Sequence, residues 1–132
     1  MCIRDRAIPV APANEDKAIY DNAFAEADRT LAQGDLLCIF PEGTVTHDGD
    51  MHPFRPGMMK VLAKRPVPVI PIALQGLWGS FFSRIEGKAM TKPFRRGVFS
   101  SVALKVGPPI PSASVTPESL YGVISELRGS SR

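Results

Sequence analysis

The sequence predicts an α/β fold in which a mostly parallel sheet is flanked by helices. Segments with the apolar spacing of a helix alternate with short β-rich segments, as they do when each strand is followed by a crossover helix. Residues 36–40 are continuously apolar, which is typical of a strand covered on both faces. The chain has 132 residues, so we expect one domain.

The first part of the chain predicts a strand, a helix and a second strand. Residues 7–10 form the first β-rich segment, and Asn14 is the predicted N-cap of the helix. Glu15 and Asp16 then lie in the first turn, where negative charge suits the helix dipole. Gly34 ends the helix, and the apolar run follows at once. The apolar face of the helix has the spacing i, i+4, i+7 and i+11, at Tyr20, Phe24, Ala27 and Leu31.

The middle of the chain predicts a turn, a short helix and an interrupted strand. Residues 47–50 combine histidine, aspartate and glycine in a turn, and residues 57–64 form a helix that begins at a glycine. Residues 67–73 are β-rich but contain Pro68 and Pro71. Because proline cannot donate a backbone hydrogen bond, we expect bulges or unpaired donors in this strand.

The last part of the chain predicts a strand and a helix. Residues 98–106 form the strand, with Ala103 and Lys105 facing away from their apolar neighbours. Thr116 is the predicted N-cap of the helix, Pro117 is its first residue, and Gly129 lies beyond its apolar face.

We divide the chain into three parts. Residues 1–6 read like the translation of an adapter used in sequencing libraries, so we exclude them from the fold. Residues 7–129 are expected to be the C-terminal part of a single domain that is incomplete at its N-terminal side, and residues 130–132 a tail. Cys38 lies in the apolar run, so we expect a core residue and no disulfide.

Charge and hydropathy limit the partners. The net charge of +3 at pH 7 is compatible with anionic lipids or phosphates. No nucleic-acid motif accompanies the charge, so we expect no nucleic-acid partner. Proline and glycine interrupt every apolar stretch before it reaches the roughly 18 residues that a spanning helix needs, so we expect that these residues do not themselves cross a membrane.

The most informative motif is Phe-Pro-Glu-Gly-Thr at residues 40–44, directly behind the apolar run. Loops that follow buried strands are where α/β folds place binding sites. Together with Phe-Arg-Pro-Gly at 54–57 and Val-Ile-Pro-Ile at 69–72, this motif resembles the phospholipid/glycerol acyltransferase family. The resemblance covers the chain from Ala7 onward. The stretch 71–84 looks most like the bacterial branch related to 2-acylglycerophosphoethanolamine acyltransferases, which is often fused to a transporter.

The resemblance implies an activity and a location. The activity is transfer of an acyl group from acyl-CoA or acyl-carrier protein to the hydroxyl of a lysophospholipid or acylglycerol phosphate, in phospholipid biosynthesis or remodelling. The thioester is a co-substrate, so no cofactor is implied. The implied location is peripheral, on the cytoplasmic face of the inner membrane.

The resemblance also implies that Glu42, Gly43 and Thr44 bind the glycerol-phosphate part of the acceptor. Gly43 would let the backbone approach a phosphate and supply N–H donors, and Thr44 adds a hydroxyl. Glu42 would accept a hydrogen bond from a glycerol hydroxyl or pair with a cation. The alternative is a structural loop in which Glu42 accepts from neighbouring N–H groups.

Arg55 and Gly57 extend the predicted binding site. Family members commonly have arginine after the threonine of the motif, whereas this chain has Val45. Arg55, before a short helix, could replace that cation, because a helix N-terminus and a guanidinium together favour an anion. The alternative is a solvated surface arginine.

The family's catalytic motif, a histidine with an aspartate five positions later, is absent from this chain. His52 stands five positions after His47, and Gly57 five after His52. The histidine would be the general base on the acceptor hydroxyl. We therefore expect no catalytic residue here, an inactive 132-residue chain and a pair supplied from upstream in the intact domain. The alternative is a non-catalytic lipid- or phosphate-binding module that keeps the acceptor loop.

Two further clusters have competing interpretations. His47 and His52 lie near two aspartates in a glycine-containing turn, which we interpret as an exposed loop rather than a metal site. The second cluster is an aromatic group followed by cations. It is explained either by a segment that lies in a membrane interface or by ordinary core packing. The aromatic group comprises Leu77, Trp78, Phe81 and Phe82, and the cations are Arg84, Lys88, Lys92, Arg95 and Arg96.

Overall fold

The structure is a computed structural model that describes residues 7–44, 46, 48–78 and 101–130. Its described residues fall into two compact units. The first, the helical unit, combines Met1–Ile39 with Gly57–Pro66, and the second, the sheet unit, combines Phe40–Pro56 with Val67–Arg132. The elements in chain order are α1 (Lys17–Ala32), α2 (Gly57–Lys64), β1 (Ile72–Gln75), β2 (Ala103–Val106), a 3-10 turn (Ser112–Ser114) and α3 (Pro117–Arg128).

The cap of helix α1 lies two residues later than predicted. The N-cap is Asp16, whose carboxylate accepts a hydrogen bond from the N–H of Ile19 at 3.0 Å. Asn14 is not the cap because the carbonyl of Pro12 accepts from the N–H groups of Glu15 and Asp16, at 2.9 and 3.1 Å, which forms a turn before the helix. Both aspartate and asparagine are good caps, so local chemistry alone could not choose between them.

Helices α1 and α2 pack against each other in the helical unit. Ala23 and Ala27 of α1 are buried, as are Met58, Val61 and Leu62 of α2. The rings of Tyr20 and Phe24 meet edge to face with centroids 4.9 Å apart. Of the predicted apolar face of α1, Ala27 is therefore buried, and Tyr20, Phe24 and Leu31 are partly buried.

The prediction of a covered strand at residues 36–40 is wrong for the described structure. These residues and residues 7–10 form no regular strand. Leu36 is 92% exposed and Phe40 is 72% exposed. Cys38 is exposed as well, so it is not a core residue. A continuous apolar run reports a preference for burial, but a strand also needs a partner for its ladder, and no other described segment pairs with this one.

The sheet unit contains an antiparallel ladder of β1 and β2. Ile72 pairs with Val106, and Leu74 pairs with Leu104. The ladder of the described residues is thus antiparallel, and a parallel sheet is not confirmed. Strand β1 begins only after Pro71, whose carbonyl accepts from the N–H of Gly107 at 2.9 Å. Before Pro71, Val69 forms only an isolated antiparallel bridge with Ile110, so the predicted strand at 67–73 is interrupted and the regular strand extends to Gln75 instead.

Helix α3 packs on one face of this sheet. Ala73 of β1 is 2% exposed, and the side-chain amide of Gln75 donates to the carbonyls of Leu127 and Arg128 at 3.2 and 2.7 Å. The start of α3 confirms the predicted cap: the hydroxyl of Thr116 accepts from the N–H of Ser119 at 3.1 Å, and the hydroxyl of Ser119 accepts in return. Pro117 is the first helical residue, as predicted.

Candidate functional site

The Phe-Pro-Glu-Gly-Thr motif, residues 40–44, forms a tight turn that we call the motif turn. The N–H of Gly43 donates to the carbonyl of Phe40 at 3.1 Å, and Gly43 has φ +65°. A side chain is disfavoured at this backbone angle, so the turn itself requires glycine. Gly43 and Thr44 are exposed, and Glu42 is partly buried.

Residues 51–55, the clamp segment, fix the motif turn through two hydrogen bonds. Oε2 of Glu42 accepts from the backbone N–H of His52 at 2.8 Å. The carbonyl of Pro41 accepts from the backbone N–H of Arg55 at 2.8 Å. Two consecutive residues of the motif turn are thereby held by one segment, which limits how far the Glu42 carboxylate can move.

The side chain of Arg55 lies over Gly43. A Cβ placed on Gly43 would be 3.0 Å from Cδ and 3.2 Å from Nε of Arg55. Arg55 is exposed and makes no ion pair with a carboxylate of the described residues. An unpaired guanidinium beside bare glycine backbone is an arrangement that suits a phosphate group.

The structure modifies two predicted roles. The N–H of Gly43 is already used by Phe40, so it is not a donor for a phosphate. Thr44 is the neighbouring residue, and it is exposed. Glu42 does accept from a backbone N–H, as the structural alternative expected, but this bond occupies one carboxylate oxygen only. The contacts among the described residues include no partner for the other oxygen.

The predicted site residues do not all belong to one unit. Glu42, Gly43, Thr44 and Arg55 belong to the sheet unit, whereas Gly57 begins α2 in the helical unit. A Cβ placed on Gly57 would meet nothing within 4 Å. No close contact therefore requires glycine there, and the role of Gly57 stays a prediction.

The turn before the clamp segment is organised by Thr46 and Asp48. The Thr46 hydroxyl donates to Oδ1 of Asp48 at 2.7 Å, and the N–H of Asp50 donates to the same oxygen at 3.0 Å. These bonds, the hydroxyl first, hold the pKa of Asp48 below its ordinary value. Nε2 of His52 lies 3.9 Å from Oδ1 of Asp48. The described residues contain no cluster of three or more groups that could hold a metal ion, and His47 lies outside them.

Helix α3 and Trp78 support this loop, which sequence reasoning did not foresee. The hydroxyl of Tyr121 donates to the carbonyl of Met51 at 3.3 Å, and the guanidinium of Arg128 donates to the carbonyl of Gly49. The Trp78 ring packs on Gly49, where a Cβ would come within 2.6 Å of the ring. Partners about 30 to 80 positions apart leave no local pattern in the sequence.

Only the first two residues of the proposed membrane-interface segment, Leu77 and Trp78, are described. Trp78 is partly buried against Gly49, which favours the packing interpretation for this residue. The remaining aromatic residues and all five cations lie outside the described residues. Among the described residues, no helix has the length and apolar character needed to cross a membrane.

Comparison with known proteins identifies the family. The family model described as Acyltransferase matches residues 3–75, more than half of the chain. The chain belongs to the acyltransferase family. The matched region contains the motif turn, the clamp segment and β1.

Curated relatives and a solved structure agree with this assignment. The chain is 31% identical over 110 residues to 1-acyl-sn-glycerol-3-phosphate acyltransferase alpha of Mus musculus, covering 83% of this chain and 36% of the relative. The Homo sapiens protein of the same name is 28% identical over the same coverage. The crystal structure of the 1-acyl-sn-glycerophosphate acyltransferase PlsC from Thermotoga maritima matches with a TM-score of 0.60 and 26% identity, covering 79% of this chain and 42% of that one. The chain thus spans about a third of the length of these curated relatives.

Proposed function

We propose that this chain carries the acceptor-binding part of an enzyme that transfers an acyl group from acyl-CoA or acyl-carrier protein to a hydroxyl of a lysophospholipid or acylglycerol phosphate. The family supports acyl transfer, and the relatives named above act, by their names, on 1-acylglycerol 3-phosphate. The observation that carries the proposal is the Arg55 guanidinium over Gly43, which has no ion-pair partner among the described residues, beside a Glu42 carboxylate held by the N–H of His52.

Each side chain of the proposed site has a separate task. Arg55 binds the acceptor phosphate, and its planar fork can donate two parallel hydrogen bonds. Gly43 gives the turn its positive φ and lets the side chain of Arg55 lie over it, and Thr44 supplies an N–H and a hydroxyl. Glu42, oriented by the N–H of His52, accepts from a glycerol hydroxyl. Gly57 is included on the resemblance alone.

The proton chemistry needs residues outside this chain. The acceptor hydroxyl would give its proton to the histidine of a His-x-x-x-x-Asp pair and attack the thioester carbonyl. The carbon–sulfur bond would then break, and the histidine would return the proton to the departing thiolate. This chain contains no such pair. We propose that residues preceding 7–129 in the parent protein supply it, and that the thioester serves as co-substrate without a cofactor.

Further parts of the proposal rest on the resemblance. They are a largely parallel sheet in the intact domain, membership of the bacterial 2-acylglycerophosphoethanolamine branch with a fused transporter, and peripheral attachment to the cytoplasmic face of the inner membrane. Fractionation of cells that express the parent protein tests the peripheral attachment. We expect the protein to stay with the membrane at low salt and to be released by alkaline carbonate.

A direct test of the proposal compares variants of Arg55 in their affinity for lysophosphatidate presented in detergent micelles. Arg55→Ala should raise the Kd about tenfold or more, because a charge-assisted hydrogen bond contributes about 1.5–3 kcal/mol. Arg55→Lys should have a Kd between those of wild type and Arg55→Ala, because lysine keeps the charge but lacks the planar guanidinium that donates two parallel hydrogen bonds. The matched control is Arg29→Ala, which removes an arginine that pairs with Glu26 on the surface of α1. Equal Kd values for Arg55→Ala and wild type would contradict the proposal.

A second candidate function is a non-catalytic lipid- or phosphate-binding module, favoured by the absence of the His-x-x-x-x-Asp pair from the chain. The coding sequence that lies upstream of this chain in the parent gene distinguishes the enzyme from the module. An in-frame pair supports the enzyme, and an upstream sequence without it supports the module. Acyl-CoA-dependent acylation of lysophosphatidate by the 132-residue chain alone would contradict both proposals, because neither gives this chain a general base.

A further inference from the structure

We propose that Tyr121 is a positioning residue for the acceptor site: from α3 it holds the clamp segment and thereby orients Glu42 in the motif turn. This inference rests on the proposed function for its consequence, which is tighter binding of the acceptor. Tyr121 itself would touch no substrate in this scheme.

Two alternating sets of contacts carry the inference. Residues 52 and 55 of the clamp segment donate their N–H groups to the motif turn, to Oε2 of Glu42 and to the carbonyl of Pro41, each at 2.8 Å. Residues 51 and 54 of the same segment contact Tyr121. The hydroxyl of Tyr121 donates to the carbonyl of Met51 at 3.3 Å, and its ring meets Phe54 edge to face with centroids 5.3 Å apart.

Tyr121 therefore holds the clamp segment immediately before each of the two residues that bind the motif turn. A hydroxyl and a ring edge on one rigid helix fix two points of a short loop. This limits the rotation that would separate the N–H of His52 from Glu42. Without this support, the Glu42 carboxylate would sample more orientations, and the acceptor would lose affinity through the entropy of reordering it.

The rest of the loop has its own supports, which makes the effect of Tyr121 separable from folding. Arg128 donates to the carbonyl of Gly49, and Trp78 packs on the same glycine. Gln75 binds the last carbonyls of α3 and holds the helix on β1. Loss of the Tyr121 hydroxyl should thus loosen residues 51–55 while α3 stays docked.

The chain offers a matched control. It has two tyrosines, and Tyr20 of α1 also uses its hydroxyl, as the acceptor for Nζ of Lys60 at 2.5 Å. Tyr20 lies in the helical unit, so Tyr20→Phe removes a comparable hydrogen bond from the other unit. A general loss of stability would affect both variants, whereas positioning of Glu42 belongs to Tyr121 alone.

The test measures amide hydrogen exchange by NMR, and the Kd for lysophosphatidate in detergent micelles, in the wild-type 132-residue chain, Tyr121→Phe, Tyr121→Ala and Tyr20→Phe. Tyr121→Phe should accelerate exchange at His52 and Arg55 about fivefold, because one net hydrogen bond is lost. It should also raise the Kd severalfold. Exchange in β1 and β2 should be unchanged. Tyr121→Ala should have the larger effect, and the ring retained in the phenylalanine variant should restore part of the protection. Tyr20→Phe should leave His52 unchanged.

Two results would overturn the inference. One is unchanged exchange at His52 and Arg55 in Tyr121→Ala, and the other is equal acceleration at every amide of the sheet unit in both Tyr121 variants. If exchange at His52 responds as expected while the wild-type chain does not bind lysophosphatidate, the positioning of Glu42 stands and the proposed acceptor function fails. The two proposals can therefore be separated by the same samples.

Discussion

The helical unit and the sheet unit are held together in different ways. In the helical unit, apolar side chains of α1 and α2 pack together, and the helices also share ion pairs between partly exposed side chains, such as Asp28 with Lys64. In the sheet unit, the polar contacts of the candidate site end on backbone groups. The carboxylate of Glu42 binds the N–H of His52, and side chains of α3 bind carbonyls of the loop.

This difference predicts that the helix pair tolerates substitutions better than the loop does. A surface ion pair contributes little and can be replaced, because both charges remain solvated when it breaks. A partly buried backbone N–H or carbonyl that loses its partner stays away from water without a hydrogen bond, which destabilises the folded state. Substitutions in the loop should therefore have larger effects than chemically similar ones in the helical unit.

The largest expected effect comes from a pair of glycines with positive φ, one in each unit. Gly49, with φ +84°, packs against the Trp78 ring, whereas Gly34, with φ +80°, has open space where a Cβ would be. Gly49→Ala should lower the free energy of unfolding by about 3 kcal/mol through backbone strain and overpacking, and Gly34→Ala by about 1 kcal/mol through strain alone. Urea denaturation followed by circular dichroism measures both, and equal losses would show that the ring contact contributes nothing.

The next effect concerns the bond that orients the motif turn. Glu42→Ala leaves the N–H of His52 without its acceptor and should cost about 2 kcal/mol in free energy of unfolding. Glu42→Gln keeps an acceptor oxygen and should cost about 1 kcal/mol or less, because it replaces a charged acceptor with a neutral one. Thermal denaturation compares the two variants. If they lose the same stability, the hydrogen bond to His52 does not hold the loop.

A smaller and opposite effect is expected inside α3. Gly122 is exposed within the helix, and a Cβ there would meet nothing within 4 Å. Gly122→Ala should raise the free energy of unfolding by about 0.5–1 kcal/mol, because alanine loses less backbone entropy than glycine in a helix. Exchange at His52 should be unchanged in this variant while α3 gains protection. Destabilisation would mean that α3 is covered at this position by a surface that the described contacts do not include.

The smallest effect concerns the ion pairs of the helical unit. A hydrogen bond from Arg65, with a further contribution from Lys64, holds the pKa of Asp28 below its ordinary value of 3.8. A carboxylate whose folded pKa is lowered adds stability above its unfolded pKa, and this stability disappears as the pH falls through the folded value. Asp28→Asn should therefore be slightly less stable than wild type at pH 7 and equal to it in strong acid. Unfolding measured from pH 7 down to pH 2 checks this, and a difference that persists at the acidic end would point to packing rather than charge.

The sequence predicted the elements whose signals are local. The last helix was located correctly because Thr116, Pro117 and Gly129 act within one turn of the residues they cap. The helix at Gly57–Lys64 was also correct. The strand expected at residues 36–40 was wrong because its pattern carries no information about which segment would pair with it.

The candidate site was predictable in its residues but not in its geometry. The motif indicated Glu42, Gly43 and Thr44, and the missing cation pointed to Arg55, which the structure places over Gly43. The hydrogen bond from His52 to Glu42 and the support from Tyr121 depend on how distant segments meet. No spacing in the sequence encodes these contacts, so they could be identified only from the three-dimensional structure.

The most direct test of the acceptor site is an NMR titration of the 132-residue chain with lysophosphatidate in detergent micelles, in which amide shift changes are mapped onto the described residues. We predict changes concentrated at Gly43, Thr44 and Arg55, saturating with one Kd and abolished by Arg55→Ala. Changes confined to the helical unit, or identical changes in wild type and Arg55→Ala, would contradict the assignment of this turn as the site that binds the acceptor.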